Sequence, residues 1–181
     1  MPRIAPSTEL DPRFSGPGAT ATPWSQGLEI LKDAQTYWLS TVRPDGRPHV
    51  TTVAGVVVEG EAYVTTGPTE RKARNLEQNT ACVLTTGCNG FEGLDVVVEA
   101  EAVRVKDSPT LTALRDAYIA KYGEIFRFEV RGDTLHSADG GPAYAFRIET
   151  RTAFGFAKGE PFSQTRWTFT SSTGRGSADE R

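Results

Sequence analysis

Twelve residues, "TTGPTERKARNL" (Thr65–Leu76), carry most of the information about fold and site in this 181-residue chain. They follow an apolar run typical of a buried strand, and the pattern predicts a helix over about residues 69–78. The N-terminal end of a helix carries a partial positive charge, so its first turn favours acidic side chains. This one instead holds Arg71, Lys72 and Arg74. The sequence therefore predicts an anion at this position.

Segments rich in Val, Thr and aromatic residues flank this stretch and predict β-strands joined by short turns. The predicted strands are 36–42, 47–60, 62–67, 81–87, 94–106, 143–149 and 152–157. Two more helices are predicted, one at 25–35 capped by Ser25 and one at 109–122 capped by Ser108. Strands joined mainly by hairpins, without regular β-α-β alternation, favour an antiparallel barrel.

Both ends of the chain differ in composition from the middle. Residues 1–23 contain five prolines among small and polar residues, and residues 170–181 read "TSSTGRGSADER". Such segments bury little apolar surface. We therefore expect a flexible N-terminal arm (1–23), a single folded domain (24–169) and a flexible C-terminal tail (170–181).

Charge and composition argue against several classes of protein. The formal net charge of -3 gives no basic face for nucleic acid or an anionic membrane. No apolar run approaches the roughly 20 residues that span a bilayer, and the first residues lack the apolar core of a secretory signal. We therefore expect a cytoplasmic protein. Cys82 and Cys88 lack the spacing of a zinc site and are expected to be reduced thiols.

Familiar catalytic motifs are missing from the sequence. His49 and His136 have no i, i+4 partner for a metal, and no G-x-S-x-G elbow predicts a hydrolase. No G-x-G-x-x-G follows the first predicted strand, and Arg71 stands where a P-loop would need glycine before its lysine. We therefore expect no metal, no dinucleotide fold and no P-loop.

The junction between the strand and the basic helix has the groups that a phosphate needs. They are the free backbone N–H groups, the hydroxyls of Thr65, Thr66 and Thr69, and the charged heads of Arg71 and Lys72. Asn75 is expected on the same face as Arg71, and Ala73 and Leu76 are expected to face the core. The alternative is a solvated surface helix whose cations are balanced by Glu70 and Glu77.

Two other segments could contact a ligand. Alternate residues of "HVTTV" (49–53) could face a flat molecule, although such segments are also simply good strand formers. The segment "FGFAKGEPFSQTRWTF" (154–169) concentrates aromatic residues with Lys158 and Arg166. Core packing, a dimer contact and a ligand contact are all compatible with it.

Three segments together resemble the pyridoxamine 5'-phosphate oxidase-like split-barrel family: "WLSTVRPDGRPHVTTV", "AYVTTGPTERKARNLEQNTACVL" and "VVVEAEAVRV". With "FSQTRWTF", the chain is more narrowly similar to actinobacterial flavin- and deazaflavin-dependent oxidoreductases. The resemblance covers about residues 35–169, and "RKARNL" is its most specific part. It implies a mainly β fold, an antiparallel split β-barrel with two or three peripheral helices. It also implies a homodimer with cofactor clefts at the interface.

The resemblance further implies a cofactor held by its phosphate, with coenzyme F420 preferred over FMN. The implied cofactor-binding residues are Val50, Thr51, Thr52, Val53, Thr65, Thr66, Gly67, Arg71, Lys72, Asn75, Arg166 and Trp167. Of these, Arg71 and Lys72 would grip the phosphate, and Arg166 and Trp167 would reach in from the partner subunit.

The activity implied is hydride transfer between the reduced cofactor and a small acceptor with an electron-poor C=C, C=O or C=N bond. No catalytic side chain stands out in the sequence. The substrate-phosphate residues of true pyridoxamine phosphate oxidases have no match here, so that vitamin reaction is not expected. The alternative is a protein of the same fold that stores or shields flavin, deazaflavin or haem without turnover. Binding of single-stranded nucleic acid would need a basic groove, which the charge balance disfavours.

Overall fold

The computed structural model describes residues 5–170, which form an antiparallel β-barrel flanked by three α-helices. The strands are β1 (Ser7–Leu10), β2 (Tyr37–Val42), β3 (Pro48–Val53), β4 (Gly55–Val58), β5 (Glu61–Thr66), β6 (Ala81–Thr86), β7 (Gly93–Val105), β8 (Phe128–Arg131), β9 (Thr134–Ser137), β10 (Pro142–Lys158) and β11 (Ser163–Thr168). The helices are α1 (Trp24–Asp33), α2 (Arg71–Gln78) and α3 (Ser108–Tyr122). The predicted mainly β fold with peripheral helices is confirmed.

The strand order shows where the barrel is split. The main path runs β1-β11-β10-β7-β6-β2-β3, and β5 joins it by pairing with β10. β3 pairs with β2 and β4 pairs with β5, yet no ladder among the described strands joins β3 to β4 or β5. The barrel therefore has an open seam along β3. The predicted strand 47–60 is in fact two strands, because the chain leaves the β2 ladder after Val53 and enters the β5 ladder at Gly55.

A register shift in β10 keeps both halves of this strand in the same core. The shift lies between Thr150 and Thr152. Side chains alternate between the faces of a strand, and one extra residue reverses the alternation. Phe146 before the shift and Ala153 after it therefore both face the barrel interior. The sequence analysis predicted two separate strands, 143–149 and 152–157. They form one strand, because the pairing with β7 continues on both sides of the register shift.

The two cores lie on opposite faces of the barrel wall. The first fills the barrel interior and includes Leu39, Val98 and Trp167. The second lies under α3, where Leu114 and Tyr118 are wholly buried. Both predicted helix caps were wrong: the N-cap of α1 is Pro23, and the carboxylate that caps α3 belongs to Asp107, the residue before Ser108.

The expectation of a flexible arm is wrong for the described part of residues 1–23. β1 pairs with β11 along its whole length, and Asp11 N–H donates to the carbonyl of Gln164 at 2.8 Å. Thr22 N–H donates to the Thr165 hydroxyl at 2.9 Å. The segment is ordered by hydrogen bonds from β11, a strand that was not predicted. The predicted tail at 170–181 lies outside the described residues, apart from its first.

Candidate functional site

Helix α2 is embedded in the protein along one side. Ala73 and Leu76 are buried in the core, as predicted, and α2 packs against β2. Lys72 is also buried, with 7% of its surface exposed. Arg71 and Arg74 are exposed. The predicted cationic pair is therefore divided into one buried ammonium group and one free guanidinium group.

The carboxylate of Glu70 already binds the groups predicted to hold a phosphate. Its Oε1 accepts hydrogen bonds from the Gly67 N–H at 2.7 Å and from the Thr66 hydroxyl at 3.0 Å. Its Oε2 forms an ion pair with the Nζ of Lys72. Burial raises the pKa of Glu70, but the hydrogen bonds from Lys72, Gly67 and Thr66 outweigh this effect and hold the pKa below its ordinary value. Glu70 therefore stays ionised at neutral pH.

Asn75 is less accessible than expected. Its side chain is fully buried, at 0% exposure, and its Nδ2 donates to the Thr41 hydroxyl at 2.9 Å. Its Oδ1 is buried without a hydrogen-bond partner. Asn75 follows Arg71 by one turn, as predicted, but its side chain is covered by β2 and is not accessible beside the Arg71 guanidinium. A buried amide lacking one partner is unusual in a folded protein.

His49 and Arg43 belong to the same region, although the sequence analysis did not place them there. The Nδ1 of His49 lies 3.4 Å from the Thr41 hydroxyl, which Asn75 also contacts. Burial lowers the pKa of His49, and the positive charges of Arg43, Lys72 and Arg71 lower it further. These cations therefore lie close together around the β2–β3 hairpin and α2. The feature of the sequence that could have placed them here was the predicted hairpin, which brings residues 43 and 49 near each other.

The four predicted residues of β3 do not share one surface. Thr51 and Val53 face inward, and Val53 joins the barrel core. Val50 is 56% exposed, and Thr52 is exposed as well. Because a strand alternates its side chains, only Val50 and Thr52 can meet a ligand on the outer face of the barrel.

That outer face carries a continuous row of paired residues across six strands. The row runs Thr52, Trp38, Thr85, Val97, Phe154, Arg166. Trp38 is 37% exposed, and Phe156, beside the row, is 36% exposed. The row therefore combines three apolar and two threonine side chains, with Arg166 at one end.

Trp167 is a core residue, contrary to the prediction. It is 0% exposed, and its Nε1 donates to the carbonyl of Thr22 at 2.9 Å. Its ring lies edge-on to Trp24, with centroids 5.2 Å apart, and a Cβ on Gly155 would come within 2.4 Å of it. It cannot reach a cofactor from this position. Its neighbour Arg166 is exposed on the outer face, with its guanidinium 5.9 Å from the Phe154 ring centroid.

The structure thus brings together part of the predicted set. Thr66, Gly67 and Lys72 meet at the Glu70 carboxylate, whereas Thr65 points to the opposite face, toward Tyr118 under α3. Within residues 5–170, no cluster of three or more His, Cys, Asp or Glu side chains could hold a metal ion. No helix in the same range is long and apolar enough to cross a membrane.

Comparison with known proteins identifies the family. The model of the pyridoxamine 5'-phosphate oxidase family matches residues 25–155, and the chain belongs to this family. No curated protein matches the sequence. The antiparallel barrel with its open seam is the split barrel that the sequence predicted.

Several solved structures share the fold at low sequence identity. A conserved hypothetical protein of Mycobacterium tuberculosis is 19% identical, with a TM-score of 0.61, covering 75% of this chain and 85% of that one. The haem storage protein HutZ of Vibrio cholerae is 24% identical, with a TM-score of 0.56, covering 72% and 91%. A structure described as an F420 reductase is 18% identical, with a TM-score of 0.51, covering 69% and 93%. At such identities the likeness establishes the fold alone.

The electrostatics of the site give a first prediction. Replacing Arg43→Gln should raise the pKa of His49, because one of the positive charges that lowers it is removed. NMR titration of the imidazole protons measures this directly, with His136 as an internal reference. Arg47→Gln is the matched control, since Arg47 is already paired with Asp45 at 2.8 Å. An unchanged pKa in Arg43→Gln would show that the cations do not act on His49.

Proposed function

We propose that this protein binds a flavin-type cofactor by its phosphate and transfers a hydride between the reduced cofactor and a small unsaturated, carbonyl or imine acceptor. Coenzyme F420 is the preferred cofactor and FMN the alternative. The observation that carries the proposal is the junction of β5 with α2, where the Gly67 N–H, the Thr66 hydroxyl and the Lys72 ammonium group already converge on one carboxylate, that of Glu70. The exposed Arg71 follows as the first residue of α2.

The available groups fit a phosphate ester. Arg71 is exposed and has no acidic partner among the described residues, so its guanidinium is free for a charge-assisted hydrogen bond. The unpartnered atom of the buried Asn75 amide is its Oδ1, an acceptor, so it adds no hydrogen bond to a phosphate. Arg71 and Lys72 would hold the phosphate.

The outer face offers a place for a flat ring next to this cluster. Among residues 5–170, β3 pairs with β2 alone, so its other edge has no ladder partner there. Along β3, His49 faces the cations, and the next outward residues, Val50 and Thr52, lie on the apolar outer face. In this proposal the ligand crosses the open edge of β3, with its phosphate by α2 and its ring against Val50, Thr52 and Trp38.

A bound flavin or deazaflavin supplies the hydride chemistry itself. The chain's own residues bind the phosphate, orient the ring and exclude water from one side of it. A cytoplasmic location and a small-molecule substrate, with no nucleic acid or membrane partner, are part of the same proposal.

Arg71→Ala tests the phosphate contact. One hydrogen bond between charged groups contributes about 1.5–3 kcal/mol, so the affinity for FMN or F420 should fall roughly 10- to 100-fold. Cofactor fluorescence measures the change, and riboflavin, which lacks the phosphate, should bind equally to both proteins. Arg74→Ala is the control, because Arg74 is exposed on the same helix. Equal losses for FMN and riboflavin would refute the phosphate contact.

A second candidate function is storage or shielding of a cofactor without turnover. It is favoured by the fold likeness to a structure described as a haem storage protein. A single-turnover assay separates the two functions: reduced cofactor is bound under anaerobic conditions, and quinone, enone and imine acceptors are added. Acceptor-dependent oxidation of the bound cofactor is expected for the enzyme. No oxidation by any acceptor in the panel would favour the carrier.

The proposed cofactor cleft also needs a second subunit, because the flat outer face covers one side of a ring. A homodimer that buries this face is therefore part of the proposal, with Trp38 in place of Trp167 at the interface. Trp38→Glu should convert the dimer to monomer in light scattering, since a charge would be buried against an apolar surface. Ile125→Glu is the control, because Ile125 is 84% exposed and lies next to α3. A wild-type monomer would contradict this assembly.

A further inference from the structure

His49 belongs to a short hydrogen-bonded chain that connects β3, β2 and α2. The Nδ1 of His49 lies 3.4 Å from the hydroxyl oxygen of Thr41, and the same oxygen accepts a hydrogen bond from the Asn75 amide at 2.9 Å. The imidazole is half-buried, on the face of β3 that also carries Thr51 and Val53. It therefore lies beside α2, near the residues proposed to hold the phosphate.

This hydrogen-bonded chain can hold the imidazole in either protonation state. A hydroxyl group has one proton to donate and two lone pairs, and Asn75 uses one lone pair of Thr41. When the imidazole is neutral, the Thr41 hydroxyl can donate to its Nδ1. When it is protonated, the Nδ1–H can donate to the second lone pair, and the Thr41 proton can turn to the backbone carbonyl of His49, 3.5 Å away. Protonation therefore leaves no member of the chain newly without a partner.

Positive charges surround this imidazole. Burial lowers the pKa of His49, and the charges of Arg43, Lys72 and Arg71 lower it further. Arg43 lies in the turn between β2 and β3, and the other two belong to α2. The ring is therefore mainly neutral at pH 7 in the free protein.

The nearby carboxylates do not balance these charges at the imidazole. Asp45 pairs with Arg47 at 2.8 Å in the hairpin turn, and Glu70 pairs with Lys72 at the start of α2. Neither carboxylate is among the groups that shift the pKa of His49. Within residues 5–170, no negative charge therefore favours the imidazolium.

We propose that an anion bound by Arg71 and Lys72 brings a proton onto the imidazole of His49, so that ligand binding at this site is coupled to proton uptake. This inference rests on the proposed phosphate site. The bound anion offsets the positive charge of α2 at the imidazole, and its own charge favours the imidazolium by Coulomb attraction. The coupling needs only the charge of the ligand, so it applies to phosphate monoesters and diesters alike.

Proton uptake makes binding tighter in acid. The pKa of His49 is higher in the loaded protein than in the free protein, so the affinity is greatest below the free-state pKa. The affinity falls as the pH rises through the pKa of the loaded state. Glu70 adds nothing to this slope between pH 6 and pH 8, because its lowered pKa keeps it ionised throughout.

The test compares the full chain with its His49→Gln variant, and His136→Gln is the matched control, because these are the only two histidines of the chain. The probe is sulfate, which stays a dianion over this range, whereas a phosphomonoester itself titrates near pH 6. The readout is the NMR shift of the Gly67 amide, with the ionic strength held constant by sodium chloride. We expect the wild type and His136→Gln to bind sulfate about three- to fivefold more tightly at pH 6 than at pH 8, and His49→Gln to lose this difference.

A second measurement needs no variant of His49. In the wild type, sulfate should raise the pKa of His49 in an NMR titration of the imidazole protons, while the pKa of His136 stays the same. Arg71→Ala should weaken this effect, because the anion loses its contact on α2. Arg74→Ala, at an exposed position of the same helix, should leave it unchanged.

Two results would overturn the inference. One is an equal loss of sulfate affinity at both pH values in His49→Gln, which would indicate a structural role alone. The other is an unchanged pKa of His49 at the highest sulfate concentration. If FMN or F420 binds through Arg71 without any change at His49, the proposed function stands and only this inference fails. If neither cofactor binds, the proposed function fails, yet sulfate still decides whether an anion at Arg71 and Lys72 protonates His49.

Discussion

The long ladder between β7 and β10 is the constraint on which the rest of the structure depends. β10 contributes to the barrel interior along both of its halves because the register shift between Thr150 and Thr152 reverses its alternation. Its first half then pairs with β5, and its second half pairs with β11. The pairing of Thr66 with Tyr144 fixes where β5 ends, and α2 can begin only a few residues later. The position of the candidate site therefore follows from the way in which the barrel closes.

At that site, burial separates the side chains that hold the fold together from those that a ligand can contact. Lys72 and Asn75 are held inside the fold, the first by Glu70 and the second by Thr41. Arg71 is next to Lys72 in sequence but exposed. Only the Lys72 half of its ion pair is buried, since the Glu70 side chain is 47% exposed, and such a pair stabilises little in net terms because desolvation of the ammonium group and solvent screening offset most of the attraction. The pair of Lys72 with Glu70 is thus better explained as fixing geometry at the junction than as a source of stability.

The sequence predicted the parts of the fold that depend on local patterns and missed those that depend on distant partners. The basic helix, with Ala73 and Leu76 facing the core, could be predicted from its periodicity. β1 and β11 could not, because each is ordered by hydrogen bonds to the other or to β10. The aromatic C-terminal segment was compatible with core packing, but it could not single out Trp167 as wholly buried, since Gly155 creates that space from another strand. The contact of Glu70 with Gly67 is local, and it was missed for a different reason: the sequence analysis assigned Glu70 to balancing the cations of the helix and not to the end of the preceding strand.

The state of His49 links proton transfer to the ligand's charge. Burial and three neighbouring cations keep its pKa below the ordinary value, so the imidazole is mainly neutral at pH 7 and is a poor proton donor there. A dianion placed among those cations would offset their charge and raise the pKa of His49. The anion would bind in an enzyme and in a carrier alike. The two would differ in which groups the protonated imidazole can reach. In an enzyme, the protonated imidazole would have to lie within hydrogen-bonding distance of the acceptor or of a water beside it. In a carrier, the same protonation would only strengthen the hold on the phosphate.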